Sequence, residues 1–422
     1  MHICVLGAGV IGVTSAYRLL QDGHQITLID AMPEAGSQTS FGNGAQLSYS
    51  YVAPLADASV WTHWPHYLFG ANSPLTLRLQ ADPAQWRWLY RFLGACNSHR
   101  AMQTTVELLR LAALSRAALA QITAATPLSF SHRNAGKLVM YSDPQELQKA
   151  RGQVAFQAEY GSRQEVVSAA RCLEIEPALA QSNTQRRWAG GVYTRDEDVG
   201  DCAAFCRGLV AAMQTNPDFQ FLGATRVTHV RLSDGALRAV FAGDRQIEAD
   251  CFVLALGAES ADFARMAGFS LPLYPLKGYS ITVPLAAGAT TAPQVSVTDL
   301  SRKIVYARLG DQLRVAGRVE LVGMDRQIPQ QAIRELTLGA VELLPTCGGL
   351  SDPARLSPWT GFRPATPTGV PIIGPSPVPN LYLNAGHGAL GWTLACGSAA
   401  ILSDQIADRT PQIDATPFRF AA

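Results

Sequence analysis

Charge is scarce in this chain. Charged residues fill only 16% of its 422 positions, and 34 basic against 33 acidic side chains leave a formal net charge of +1. Without a basic excess there is no stripe to neutralise phosphates, which argues against a nucleic-acid binder. Also missing is any charge-free apolar run of about 18 residues, so no membrane span is expected despite a mean hydropathy of +0.07. The most apolar helical stretch, 108–122, is interrupted by Arg110 and Arg116 and reads as a packed helix. There is no Cys-x-x-Cys among the eight scattered cysteines, a usage that suits buried thiols in a reducing compartment. Cys202 and Cys206 lie one helical turn apart, but no histidine is near enough to complete a site, and no metal is expected. No basic leader precedes the strand-like Ile3-Cys4-Val5-Leu6, so the expected location is the cytoplasm. Internal repeats, low-complexity tracts and a Pro/Ser linker are absent too.

What is present is apolar: 48% of residues are hydrophobic, enough to bury a sizeable core in two or three folding units. The first thirty residues read as strand, helix, strand, with Val10, Val13, Tyr17 and Leu20 at helical spacing and Gly23 ending the helix. A polar, glycine-rich loop follows from Gly36 to Ser50, too long for a mere connector. Residues 61–92 are aromatic, with Trp61, Trp64, Tyr67, Phe69, Trp86, Trp88, Tyr90 and Phe92. A long helix is expected over 104–124, β-branched alternation dominates 274–320, and strand–glycine–helix returns at 380–406. The expected fold class is α/β: a Rossmann-like unit from 1–55, 193–273 and 352–422, interleaved with a β-rich (α+β) unit from 56–103, 127–192 and 274–351. Helix 104–124 is assignable to the first unit.

Gly7-Ala8-Gly9-Val10-Ile11-Gly12 is a Gly-x-Gly-x-x-Gly that leaves a strand and opens a helix. The first glycine permits the tight turn, the second lets backbone approach a pyrophosphate, and the third lets helix and strand pack closely. The helix N-terminus, here Val10 and Ile11, offers amide donors and a positive end to phosphates. Asp30, followed by Ala31, stands at the end of the second strand, 18 residues beyond Gly12 (30 − 12), placed to bind ribose hydroxyls. Asp30 does not decide between NAD and FAD. A second helix starting after Gly391 is placed to direct its positive end at the pyrimidine side of an isoalloxazine, which favours an anionic reduced flavin. On spacing alone those later glycines also read as tight turns.

At four further stretches the chain resembles the FAD-dependent D-amino acid and glycine oxidase family, and within it the small subunits of D-amino acid dehydrogenases. They are Thr39-Ser40-Phe41, Tyr274-Pro275-Leu276-Lys277-Gly278-Tyr279-Ser280, Trp359-Thr360-Gly361-Phe362-Arg363-Pro364 and Asn384-Ala385-Gly386-His387-Gly388-Ala389-Leu390-Gly391-Trp392-Thr393. The resemblance runs nearly end to end and implies FAD as cofactor. Its flavin contacts fall on Gly7, Gly9, Val10, Ile11, Gly12, Asp30 and Ala31, then on Ser40, Asn43, Gly44, Ala45, Gln46 and Leu47. Later ones fall on Val227, Ala255, Gly257 and Gly361, and on Gly386, Gly388, Leu390, Gly391, Trp392 and Thr393. It also implies that Arg363 binds the substrate carboxylate, for which a planar fork is suited; from the residues alone Arg363 reads as half of a structural salt bridge. Tyr51, Tyr279 and His387 are further candidate contacts to substrate or flavin, with core packing as the alternative for each tyrosine. The chain departs from the pattern at Asn43-Gly44-Ala45-Gln46, where the family reads Asn-Ala-Gly-Gln, at Tyr49-Ser50 where Pro-Gly is common, and at Thr368 in place of an aspartate.

The implied reaction is oxidation of an amino acid at its α-carbon. Hydride passes to the flavin, and water hydrolyses the imino acid to a 2-oxo acid and ammonia, with electrons leaving to a quinone or other respiratory acceptor. No strong base is required, so positioning carries the rate. Competing readings are a proline or hydroxyproline dehydrogenase, an amino acid oxidase, or a flavin-bound electron-transfer subunit without a substrate of its own; Arg363 disfavours the last. The aromatic stretch, read as interfacial, implies peripheral contact with the inner face of a membrane; read as core, it does not. Homo- and hetero-oligomers are both compatible with the sequence.

Overall fold

A computed structural model describes residues 1–61, 75–182, 188–286 and 288–421. Two sheets organise them. The first has six strands in the order Phe219–Leu222, Gln25–Ile29, His2–Leu6, Cys251–Leu254, Leu381–Ala385 and Ile372–Pro375. All neighbours are parallel except the last pair. Such strands are covered on both faces and so run nearly continuously apolar; Ile3, Val5, Ile26, Leu28 and Val253 are fully buried. Helices Val10–Gln21, Cys202–Met213 and Gly391–Ile406 share one core with these strands.

Helix Ser98–Ala125 joins that core through Leu108, Leu111, Ala112, Leu119 and Ile122. By length and composition it is apolar enough to cross a membrane, but its other face exposes Arg100, Arg110 and Arg116. Amphipathic placement on a core explains it.

The second sheet runs Ser357–Ala365, Tyr274–Pro284, Gln312–Leu321, Ile304–Leu309, Ser296–Asp299, Lys137–Tyr141, Gly190–Thr194 and Gln164–Ser168, with Leu75–Leu77 added beside Gln312–Leu321. Helix Gln330–Leu343 packs on it, and Tyr279, Ile281, Val297, Tyr306 and Val315 form its core. Two expected boundaries move. Ser357–Ala365, assigned from sequence to the dinucleotide-binding unit, pairs from Tyr274↔Ala365 to Thr282↔Ser357 with the second sheet. Thr194 likewise ends a strand of that sheet. In each case long-range pairing, invisible to local pattern, overrides the expected boundary.

Of the aromatic stretch, Trp64, Tyr67 and Phe69 lie outside the described residues. Helix Pro83–Ala95 starts with Asp82 accepting from the Ala84 N–H and with proline in its first turn. Its inner face buries Trp88, Leu89 and Phe92 against Tyr274 and Leu276. Its outer face leaves Trp86 51% and Tyr90 82% exposed, near-neighbours at i, i+4. Trp61 is 54% exposed. Part of the aromatic stretch is therefore core and part is surface.

Candidate active site

The glycine turn behaves as its spacing predicts. Gly7 adopts φ +104°, and a Cβ there would lie 2.5 Å from the Ala255 carbonyl oxygen. At Gly12 a Cβ would lie 1.7 Å from the Gly7 carbonyl oxygen, so only glycine lets helix and loop approach this closely. The Val10 N–H, in the helix's first turn, donates to Ser40 Oγ at 3.0 Å. Asp30 stands past the second strand, Oδ2 accepting from the Ala8 N–H at 2.6 Å and Oδ1 from the Met32 N–H at 2.7 Å. Burial raises its carboxyl above the usual range, against the pull of those two N–H donors. The acid is thereby tied to the glycine turn, with lone pairs left for hydroxyl donors.

From this turn a cavity of about 420 Å³ reaches the second sheet. A second, of about 490 Å³, adjoins it through Asp30, Ala31, Gln38 and Leu256 and is lined by Thr225, Arg226 and Val227. Every expected flavin contact lines one or the other except Gly12 and Leu47. Gly12 acts beneath the turn, as its contact with Gly7 requires. The Leu47 side chain is buried in the first core rather than turned to the cavity. Its strand, Gln46–Leu47, points alternate residues to opposite sides, so Gln46 lines the cavity and Leu47 does not.

The loop before Gln46 is held onto the second sheet. Arg314 Nη1 donates to the carbonyls of Phe41 and Asn43 at 3.1 and 2.9 Å, and Ser280 Oγ donates to the Gly42 carbonyl at 2.8 Å. The altered order Gly44-Ala45 has a cost: Ala45 takes φ +58°, the left-handed region, which disfavours a Cβ. Asn43 Oδ1 accepts from the Ala45 N–H at 2.9 Å and braces that turn.

At the opposite end of the chain, Gly391, Trp392 and Thr393 open the helix Gly391–Ile406 at the cavity wall. Thr393 Oγ1 accepts from the Ser48 N–H at 3.0 Å, and Trp392 Nε1 donates to the Gly200 carbonyl at 3.1 Å. His387 is 3% exposed, with Nε2 2.8 Å from Ser398 Oγ. Burial pulls its pKa down to about 3, so it is a neutral ring at working pH. Its Nδ1 and the Oδ1 of Asn384 are buried at the cavity wall without partners among the described residues.

Arg363 reaches the same cavity from strand Ser357–Ala365. Its Nη1 donates to the Arg318 carbonyl at 3.1 Å, and no carboxylate pairs with it among the described residues, which removes the salt-bridge reading. Burial lowers its pKa to about 10, leaving it charged at neutral pH. A Cβ at Gly278 would sit 2.5–2.6 Å from the guanidinium; the missing side chain there is what lets the fork lie flat across the neighbouring strand. Tyr279 also lines the cavity, but its hydroxyl donates to Glu320 Oε2 at 2.6 Å. That bond and burial raise its pKa, so it presents a neutral ring. Tyr51 lines the cavity with its ring 4.3 Å from Lys137 Nζ.

Sequence reasoning missed Lys137 and Thr298, both on the cavity wall, and Arg314. Nothing local marks them, although lysine or arginine inside an apolar strand, as in Lys137-Leu138-Val139-Met140, is a usable signal.

The residues fit FAD: a glycine turn that a Cβ at Gly7 or Gly12 would obstruct, an acid tied to that turn, a helix end at the far wall, and orphaned buried polar atoms on His387 and Asn384. Comparisons agree. A family model described as FAD dependent oxidoreductase matches residues 2–405. The chain is 46% identical over 426 residues to a D-amino acid dehydrogenase 2 of Ralstonia nicotianae, covering 100% of both. It is 39% identical over 418 residues to a D-amino acid dehydrogenase of Dechloromonas aromatica, covering 98% of each. The fold matches a glycine oxidase of Geobacillus kaustophilus with TM-score 0.76 at 19% identity, covering 99% of this chain and 98% of that one. It also matches an iminodiacetate oxidase of Chelativorans with TM-score 0.75 at 18% identity, covering 99% and 98%.

Proposed function

The chain belongs to the FAD dependent oxidoreductase family, and from that premise we propose that it is a D-amino acid dehydrogenase that converts its substrates to 2-oxo acids and ammonia. One observation carries the reading furthest: a charged, buried guanidinium at Arg363 that faces the cavity with no acid of its own among the described residues. Such a group demands an anion, and an α-carboxylate matches its fork.

FAD bound along the cavity supplies a two-electron acceptor. The chain's own part is positional. Arg363 holds the carboxylate, Gly278 gives its fork room, and the loop pinned by Arg314 and Ser280 closes the wall. Neutral His387 and Tyr279 add no competing charge. With the α-carbon fixed, oxidation yields an imino acid, which water hydrolyses. No residue here is asked to act as a strong base.

Turnover on paired D- and L-amino acids, in air and then with an artificial electron acceptor, tests this. The expected result is oxidation of D-isomers that depends on the added acceptor. Equal rates in air alone would make the protein an oxidase, and no turnover with any amino acid would reject the reading.

We also propose that electrons leave to a quinone or other respiratory carrier, and that the protein works in the cytoplasm at the inner face of a membrane. The exposed Trp61, Trp86 and Tyr90 support this, since such rings favour a membrane interface. Part of the protein should float with liposomes, and Trp86→Ser with Tyr90→Ser should reduce that fraction; protein found wholly in the soluble fraction would count against it.

A further inference from the structure

We propose that the substrate's side chain is read by a cationic subsite, built from Lys137 and Thr298 with Lys303 beside them, that selects D-amino acids carrying a second carboxylate. This deepens the dehydrogenase reading and rests on it.

Strand order sets the geometry. The Arg363 guanidinium lies over Gly278 and bonds the Arg318 carbonyl, so it sits above the strands Tyr274–Pro284 and Gln312–Leu321. From the latter, Thr298 is two strands away and Lys137 three. The register adds an offset along the strands, since Thr298 is level with Ala316 and Lys137 with Arg314, two and four residues from Arg318. At about 4.8 Å per strand and about 3.3 Å per residue the backbone separations are roughly 12 and 20 Å. A five-carbon dicarboxylate with a hydrogen bond of about 2.8 Å at each end spans the gap to Thr298, and the long Lys137 side chain is what brings its ammonium toward the same end.

The polar inventory agrees. Lys137 is 3% exposed, and its ammonium donates to Gln46 Oε1 at 2.9 Å and to Ser48 Oγ at 2.8 Å. Those bonds use two of three donors and leave the charge at the cavity wall. Burial lowers its pKa, opposed by Glu197 nearby. Thr298 is 5% exposed, lines the same wall, and its Oγ1 has no hydrogen-bond partner among the described residues. Lys303 lines the wall as well. The carboxylates that line this cavity among the described residues are Asp30 and Glu259, both at the dinucleotide end. A stretch of wall with lysines, an orphaned hydroxyl and no lining acid suits an anionic side chain and leaves an apolar one unrewarded.

The test uses the flavin-loaded enzyme and two redox-inert probes, glutarate and pentanoate, which differ only in the second carboxylate. Inhibition constants against D-alanine oxidation, and direct binding by flavin absorbance, are measured for both. Glutarate should bind at least about tenfold tighter, the size expected of a hydrogen bond to a charged group. D-glutamate should be preferred over the isosteric, uncharged D-glutamine. Lys137→Met and Thr298→Val should each lower the glutarate-to-pentanoate ratio about tenfold; the second keeps the test open should the first leave Glu197 too costly to bury. Equal binding of the two probes, or an unchanged ratio in a folded Thr298→Val enzyme, overturns the inference while D-alanine oxidation upholds the general function. Failure of every D-amino acid to reduce the flavin rejects the function itself.

Discussion

Arg363→Ala should fold, keep its flavin and lose nearly all catalytic efficiency. Removing one partner of a desolvated charge pair costs about 2–5 kcal/mol, or roughly thirtyfold to several thousandfold in kcat/KM. The guanidinium is well suited to cause a loss of that size. It has no acid among the described residues, one carbonyl partner, and a pKa that burial alone pulls to about 10, so the bound substrate would supply its only counter-charge. Arg363→Lys should recover part of the loss, because an ammonium keeps the charge but gives up the fork. Amines without a carboxylate should be poor substrates for the parent and relatively less affected by either change. The same loss can be reached from the neighbouring strand. Gly278→Ala puts a methyl group where the guanidinium now lies and should raise KM for D-amino acids without altering flavin content. Steady-state kinetics with the flavin spectrum of each variant check all of this. An Arg363→Ala protein that unfolds or sheds flavin while its surviving fraction turns over normally would make Arg363 structural.

What could be read from sequence were the parts set by local geometry. Gly7 and Gly12 must be glycine because of backbone five residues away or at the end of an adjoining strand, and Asp30 follows from the length of one helix and one strand. The helix after Gly391 announces itself by glycines and an apolar run. Harder to read was everything created by pairing distant strands. Lys137 meets Ser296 in register across 159 positions (296 − 137), and Thr298 reaches the same wall only because Ser296–Asp299 lies beside Lys137–Tyr141. The Ser357–Ala365 strand went to the wrong sheet for the same reason. Which of Gln46 and Leu47 turns its side chain to the cavity is decided by one step of strand alternation, the smallest shift a β-strand permits. The resemblance supplied Arg363 where composition would have made it an ordinary ion pair; the structure then supplied the physical reason, a buried charge lacking an acid.

Gly12→Ala tests the cofactor assignment with the least room for compromise. The added Cβ would stand 1.7 Å from the Gly7 carbonyl oxygen, far inside any real contact. The obstructing atom is backbone, so no rotamer change relieves it. Either the helix Val10–Gln21 lifts from the strand His2–Leu6, or the turn that cradles the pyrophosphate opens; each removes the amide donors from their positions. Overpacking a core typically costs about 1–3 kcal/mol, and a clash with fixed backbone belongs at or above the upper end. The purified parent should be yellow through desalting, whereas Gly12→Ala should hold at least about tenfold less FAD and fail to recover it on incubation. Gly152→Ala serves as the control. It lies in the helix Pro144–Ala158 with nothing within 4 Å of the added methyl, and should gain up to about 1 kcal/mol from helix propensity with flavin unchanged. Circular dichroism of the flavin-free forms separates loss of binding from loss of fold. A Gly12→Ala protein that remained fully yellow would mean that the close approach of helix and strand is not what holds the dinucleotide.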